Sequence, residues 1–460
     1  MSIPPELTDR IIDYLYDDFR TLSMCTLSSR TFIPAVRYHQ FGFITLDGQW
    51  LTSFNSLMDT NPHLGHLVST VIFQRLEQHR RWNIRRQDSD QMVALIKRTP
   101  LCQRLDMINV DVEPDVVHEV IHSNSIQTLV LKNNKFDTIP DFLLLISSFP
   151  LLKNLEIEHP TFIIEGTPMT HYQPTSFLKA LTTRQFSNRY ADSFIRLWLL
   201  NAQPSFVLNS YHTELDGPVT ANFANNILAA IGNVISELSI NVIFDTLEGP
   251  LQENNFSIRN CTNLRRFEMR FNHYAKSNSG QRRPHAWIPK LLSEMSSTVI
   301  ETIQITLYSD EDRELMEDPY ITERRPVEGG TFAPLRFRHL ITLDWNALND
   351  ILLSQRYQSL RRLTFKGKDS PNTCYTFLNN RYPRIAHLIK LEPLQRLEPE
   401  PASQWHTGYL LRVTVISRSH FDLRTEERQC NPSEELSTNL FLVNGLICSI
   451  VTQTYTRSGE

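Results

Sequence analysis

Three apolar triplets with one internal spacing recur along the early part of the chain and limit what it can fold into. Cys102, Leu105 and Met107 form one, Ile126, Leu129 and Leu131 the next, and Leu152, Leu155 and Ile157 the third. Leu105, Leu129 and Leu155 stand 24 and 26 residues apart. The last two members of each triplet are two residues apart, so they share one face of an extended strand. A fixed period in this range marks a supersecondary unit that cannot bury its apolar face alone and must stack on copies of itself. Between the strands, Phe142-Leu143-Leu144-Leu145-Ile146 with Phe149-Pro150 predicts a helical return segment ended by proline.

The segment from Ile126 to Phe136 fits the leucine-rich pattern L-x-x-L-x-L-x-x-N-x-L with conservative apolar swaps. Leu129 and Leu131 are expected to point into the core, and Asn134 to bond loop backbone inside the stack. Val110 and Val112 extend the preceding copy, and Pro160 and Phe162 the following one, with Pro160 in the asparagine position. Looser copies fall at Val68/Val71/Phe73, Phe194/Leu197/Leu199, Ile235/Leu238/Ile240, Leu264/Phe267/Met269 and Ile300/Ile303/Ile305. Others fall at Leu340/Leu343/Trp345, Leu360/Leu363/Phe365 and Ile385/Leu388. The expected fold is α/β: an irregular leucine-rich-repeat-like solenoid with a parallel sheet over 42–395, preceded by a small helical domain over 1–41. An ordinary α/β domain with buried parallel strands is the competing architecture. Residues 396–460 are read as a C-terminal cap or a loosely ordered tail, with Leu411 to Val415 alternating like one more strand.

The first forty residues predict three short amphipathic helices. Leu7, Ile11 and Leu15 are four apart, with Ile12 beside them. Pro4 and Pro5 sit where a first helical turn tolerates proline. Leu22, Cys25 and Leu27 make a second apolar set, and Phe32, Ala35, Val36 and Phe41 a third. Helices of this size bury too little to be stable alone, so a partner is expected.

Ile3-Pro4-Pro5-Glu6-Leu7 through Asp18, followed by Leu22 to Pro34, resembles the F-box of the large F-box families of mushroom-forming fungi. Ile3 replaces the usual leucine, a volume-conserving change, and Phe32 replaces the usual tryptophan. The link Asn61-Pro62-His63-Leu64 is also similar to that family's, whose members commonly carry irregular leucine-rich-like repeats. The resemblance implies a substrate-receptor subunit of a Skp–cullin–F-box ubiquitin ligase. Ile3, Pro4, Leu7, Ile11, Ile12, Leu15, Leu22, Cys25, Leu27 and Phe32 would then bind the Skp-type adaptor, and through it a cullin–RING ligase. The solenoid would hold an unknown protein target. A cullin-independent interaction scaffold is the first alternative, and a small-molecule receptor or enzyme built on the solenoid the second.

Outward strand positions are the expected target surface, because solenoids use such faces for extended partners. They include Asn154, Glu156 and Glu158; Glu237, Ser239 and Asn241; and Thr302, Gln304 and Thr306. Arg266, Glu268, Arg270, Arg362 and Lys366 are singled out for charge, and Asp344 and Asn346 join the set. Trp198, an aromatic at an outward position, reads either as an interface anchor or as part of a strand buried on both sides.

Other chemistries find little support. The net charge of −4 and a pI near 6.4 draw the chain towards neither nucleic acid nor membrane. His79 to Arg86 mixes cations with Trp82 but reads as a solvated segment, and no nucleic-acid partner is expected. Six scattered cysteines without Cys-x-x-Cys read as reduced thiols. No basic-then-apolar leader opens the sequence, so a cytoplasmic or nuclear location is expected, and the glycosylation-like patterns at Asn255 and Asn260 read as chance. The apolar run Leu440 to Val451 falls short of the roughly 20 residues a membrane span needs. Six acidic residues between Ser309 and Asp318 mark an exposed insertion lacking the spacing of a calcium loop. Fifteen histidines show no zinc spacing. Nucleophile elbows, phosphate loops and dinucleotide fingerprints are missing from the sequence, so neither an enzyme nor a cofactor is expected.

Overall fold

The computed structural model describes residues 4–16, 18–74, 82–83, 86–112, 125–164, 177–186, 198, 208–243, 256–273, 287–309, 344–367, 379, 382–386, 388–393, 412–416, 436–443 and 446–453. Two compact units emerge. The first comprises Met1–Leu152, Thr161–Gly166 and Glu398–Glu460, and the second Lys153–Pro160 and Thr167–Leu397. These groupings follow contacts and not the sequence-based boundaries after 41 and 395, the first of which falls inside a helix.

The first unit opens with helices α1 (Pro5–Asp13), α2 (Phe19–Ser28) and α3 (Ile33–Gly42). Pro5 takes the first turn of α1, where its missing amide hydrogen has no helical partner. Asp18 caps α2 by accepting from the Thr21 amide at 2.9 Å, and bonds from Thr21 hold its carboxyl below the usual carboxylate range. Ile12, Leu22 and Val36 are fully buried between the three helices, with Leu15, Cys25, Phe32 and Ala35 packed around them. Helix α3 runs without a linker into strand β1 (Phe43–Leu46). The Gly42 carbonyl at the junction accepts from the Ser69 amide at 2.9 Å and the Ser69 hydroxyl at 2.7 Å.

The unit continues through α4 (Gly48–Thr60), β2 (Thr70–Gln74), the two-residue β3 (Trp82–Asn83), α5 (Arg86–Arg98), β4 (Arg104–Ile108) and β5 (Val110–Val112). Then come β6 (Thr128–Lys132), β7 (Lys135–Thr138) and α6 (Ile139–Ser147). Helix α6 is the expected return segment. Its start is fixed by a capping box in which Asp141 accepts from the Thr138 amide and hydroxyl while Thr138 accepts from the Asp141 amide. Strand β8 (Asn154–Glu158) belongs to the second unit and β9 (Thr161–Ile164) to the first.

The second unit holds β10 (Ala180–Arg184), β11 (Ser210–Leu215), α7 (Pro218–Ile231), β12 (Glu237–Ile243), β13 (Arg266–His273) and α8 (Trp287–Glu294). It ends with β14 (Thr302–Ser309), α9 (Trp345–Leu352), β15 (Arg362–Gly367), the short α10 (Pro383–Ala386) and β16 (Ile389–Pro393). Parallel strands lie side by side within each unit, β1, β2, β4 and β6 in the first and β8 and β10 to β16 in the second. A smaller parallel sheet aligns β3, β5, β7 and β9. Late in the chain β17 (Arg412–Ile416), β18 (Leu436–Val443) and β19 (Leu446–Gln453) form a separate antiparallel sheet, β19 in the middle.

The parallel register explains the triplets. In the first unit Val71 pairs with Leu105 and Leu105 with Leu129, while Phe73 pairs with Met107 and Met107 with Leu131. In the second, Leu238, Phe267, Ile303 and Leu363 form one row and Ile240, Met269, Ile305 and Phe365 the next. All are buried, as are the leading triplet members Val68, Cys102, Ile126, Ile235, Leu264, Ile300 and Leu360. The period also has a backbone cause. Asn109, Asn133, His159 and Gln185, each directly after a strand, take left-handed φ values of 56°, 52°, 48° and 48°. The next residues, Val110, Asn134, Pro160 and Phe186, all turn inward and are buried. Asn134 Nδ2 donates to the Val110 carbonyl at 3.2 Å, the loop-backbone bond expected of it.

Several expected strands lie elsewhere. Trp345 does not end a strand; it begins α9, and Asp344 caps that helix by accepting from the Ala347 amide at 3.0 Å. Asn346 is likewise helical and accepts from the Tyr382 hydroxyl. Ile385 belongs to α10, and the strand starts at Ile389. Trp198 is buried, only 1% exposed, which excludes it as an exposed interface anchor. Phe194, Leu197, Leu199, Leu340 and Leu343 lie outside the described residues, as do 310–343 and most of the His79–Arg86 segment. Two unanticipated strands, β10 and β11, continue the rows with Leu181 beside Leu155 and Tyr211 beside Leu181.

At β10 and β11 the core row turns polar. Thr183 Oγ1 lies 2.9 Å from the Tyr211 hydroxyl and donates to Thr213 Oγ1 at 3.3 Å, so these buried groups satisfy one another. Burial pushes the Tyr211 phenol up to about 12, and the hydrogen bonds only partly offset it. A folded-state value above the unfolded one of about 10 gives a contribution that is whole below pH ~10 and lost as pH climbs towards ~12. Burial raises Cys102 to about 11 and Cys261 to about 12, with the same sign. Tyr211→Phe is therefore expected to shrink the loss of stability between pH 9 and pH 11.5 by on the order of 2 kcal/mol. Urea midpoints of both proteins at the two pH values measure this, and parallel losses would refute it.

Candidate functional site

Two surfaces stand out, one apolar and one charged. The first lies on the N-terminal helices. Helix α1 turns Thr8, Ile12 and Leu15 inward, and the Thr8 hydroxyl is satisfied by donating to the Pro4 carbonyl at 3.2 Å. That phase leaves Leu7, Ile11 and Tyr14 in a row on the opposite side, 50%, 47% and 85% exposed. On α2, Met24 and Leu27 are three residues apart and exposed as well. Among the described residues, eight of the fifteen large exposed hydrophobics lie between Leu7 and Phe43. A concentration of that kind, in about a tenth of the chain, is what an interaction surface leaves on a protein.

The expected adaptor-binding residues thus separate. Leu7, Ile11 and Leu27 face outward, and Pro4 is exposed at the helix start. Ile12 and Leu22 do not: both are fully buried in the three-helix core, which corrects their expected place on a docking face. The physical reason is that three short helices need an internal core to hold their angles. Leu15, Cys25 and Phe32 are half-buried against it. Ile3 lies outside the described residues. Tyr14 and Met24 were missed because the spacing of Leu7, Ile11 and Leu15 suggested a single apolar face.

The second surface is the outward strand face of the second unit. Parallel register places Glu156, Thr182, His212, Ser239, Glu268, Gln304, Thr364 and Lys390 in one row. Glu158, Arg184, Glu214, Asn241, Arg270 and Thr306 form its neighbour, with Lys366 at the next register position. Arg184 lies 3.8 Å from Glu156 and 3.7 Å from Glu158. Glu214 accepts from Asn241, and Glu268 accepts from Arg270 Nε at 2.9 Å and from Gln304. Arg266 reaches Glu237 at 3.1 Å across the strands. Arg266, Glu268, Arg270 and Arg362 therefore share one face, and each is already engaged with neighbours.

Burial tunes this face. It holds the His212 imidazole below its ordinary range despite nearby Glu268 and Glu237, so the ring is neutral at pH 7. It raises the Glu214 carboxyl, against the bond from Asn241. Strands β10 and β11, which carry Arg184, His212 and Glu214, escaped the sequence pattern, and those residues with them. In the first unit the outward residues are closed off: Ile72, Asp106 and Val130 are buried, and Arg104 grips the Asp106 carboxylate through two bonds of 2.9 and 3.1 Å.

Among the described residues no group of three His, Cys, Asp or Glu side chains could hold a metal ion. No described helix is long and apolar enough to cross a membrane. No protein-family model matches the chain, and no curated protein sequence matches it.

The division between core and surface leucines yields a test. Leu22→Ala is expected to cost about 2–4 kcal/mol of stability, as for a fully buried leucine. Leu7→Ala with Ile11→Ala should stay within about 1 kcal/mol, since both are half exposed. Urea unfolding compares them, and a larger loss for the exposed pair would invert the assignment.

Proposed function

We propose that the chain is the substrate-receptor subunit of a Skp–cullin–F-box ubiquitin ligase, with residues 1–41 as the F-box and a leucine-rich-repeat-like solenoid carrying the target. The exposed apolar row Leu7, Ile11 and Tyr14 on α1, with Met24 and Leu27 on α2, carries this reading. It lies on helices whose sequence resembles an F-box, and it has the composition of a helix-binding partner's counterface. In this reading the chain catalyses nothing itself. It holds a target beside the ubiquitin-carrying enzyme, so that transfer to a lysine becomes effectively intramolecular. It would act in the cytoplasm or nucleus, where such ligases work. The recurrent strand period and the polar outward face of the second unit support the target-binding role.

Co-purification tests it. The wild-type chain should bring down the Skp-type adaptor together with a cullin. Replacing Leu7 and Ile11 by alanine should weaken adaptor binding by roughly thirtyfold or more, at about 1 kcal/mol or more for each truncated anchor. Adaptor binding that is indifferent to both substitutions would overturn the F-box reading, and adaptor capture without any cullin would favour the scaffold.

A further inference from the structure

The outward charges of the second unit are segregated along the sheet. Strands β8 and β10 to β12 carry Glu156, Glu158, Glu214 and Glu237 against the single cation Arg184. From β13 onward the balance reverses: Arg266, Arg270, Arg362 and Lys390 face outward against Glu268. Lys366 and Glu392 take adjoining register positions at the far end. The change of sign falls between β12 and β13, where Glu237 and Arg266 meet at 3.1 Å.

The two ends are available in different ways. The Arg266 side chain is 70% exposed and Glu237 43%, so their pairing is an open surface contact that a ligand can replace at little cost. Arg184, Arg270 and Arg362 are exposed too. The carboxylates Glu156 and Glu158 are more recessed, at 23% and 26%, where a ligand cation would be partly shielded from water. Strands lie about 4.8 Å apart, so the three steps from β8 through β10 and β11 to β12 give the acidic end a width of roughly 14 Å, and the two from β13 to β15 give the basic end roughly 10 Å. An extended peptide crossing the strands therefore meets an acidic half and then a basic half.

We propose that this face binds an extended segment of the protein target whose basic side chains lie over β8 and β10 to β12 and whose acidic side chains lie over β13 to β15. The inference rests on the receptor reading above and gives its target a chemistry: a charge-blocked peptide. Its recognition is by sign and position, which sets specificity more than raw affinity. A uniformly acidic polymer would be repelled at one end and a uniformly basic one at the other.

The test uses the full chain and three fluorescent probes at low salt: a peptide with a lysine block followed by a glutamate block, a peptide of the same composition with the charges alternating, and an oligothymidylate. The blocked peptide should bind about tenfold more tightly than the alternating one, as several exposed ion pairs at a few tenths of a kcal/mol each allow. Arg266→Glu with Arg362→Glu should abolish that preference. Adding Glu156→Lys and Glu158→Lys to this pair should restore it, because the blocked peptide can then lie reversed. Equal binding of the two peptides, or oligothymidylate binding as tightly as the blocked peptide, would overturn the inference. Adaptor capture on the same preparations separates the claims. Intact capture without peptide discrimination sinks only the peptide chemistry, and discrimination without capture sinks only the receptor reading.

Discussion

The parallel strands turn alternate side chains inward, two or three on nearly every strand, and almost everything else follows from stacking them in register. Leu105 on Leu129, and Phe267 on Ile303, place apolar side chains one strand spacing apart in rows that exclude water along their length. A slip of one residue would send every inward group to the other face. The register is also fixed from the entry side by a recurring pair of bonds. The amides of Ser236 and Glu237 both donate to the Asn209 carbonyl, those of Arg265 and Arg266 to Ser236, and those of Arg361 and Arg362 to Glu301. Each strand is thereby started at the same height as its neighbour.

That regularity lets the opposite face vary. Outward residues need only tolerate a strand, so charge can be distributed along them without disturbing the core. The exception proves instructive at β10 and β11, where Thr183, Tyr211 and Thr213 bring hydroxyls into the core itself. They are tolerated because they bond to each other; a single such group among leucines would be left unsatisfied at a cost of about 1–3 kcal/mol. At β10 and β11 polar residues therefore enter the core as a group.

Much of the strand ladder was readable from spacing alone, because eight of the expected triplets have three buried apolar members in an unbroken pattern. Leu178-x-x-Leu181-x-Thr183 and Leu208-x-x-Tyr211-x-Thr213 were not, since their third member is a threonine whose partner lies on another strand. The opposite error occurred at Leu340, Leu343 and Trp345: the pattern is satisfied, yet Asp344 is a good helix cap and α9 starts there. On α1 two residue rows compete, Leu7/Ile11/Leu15 and Thr8/Ile12/Leu15. Apolar content favours the first, but the Thr8 hydroxyl finds the Pro4 carbonyl, which lets the second turn inward. The β18–β19 pair was hidden inside an apolar run, although Asn444-Gly445 is a strong hairpin signal. Of the candidate surfaces, the charged positions were legible wherever a strand was, while Tyr14 and Met24 needed the helix phases.

The junction between α3 and β1 has a consequence for modularity. Gly42 ends the helix, Phe43 begins the strand, and the Gly42 carbonyl is held by Ser69 at the mouth of β2. Phe41, at the end of α3, packs against Phe54 of α4 with ring centres 6.5 Å apart. The three helices and the first strands thus share residues, with no tether in which a crossover could be placed harmlessly. Domain shuffling that exchanged the helical segment would have to carry Ser69 and Phe54 along or rebuild their counterparts. Any chimera joined at residue 42 inherits a foreign angle between helix and sheet.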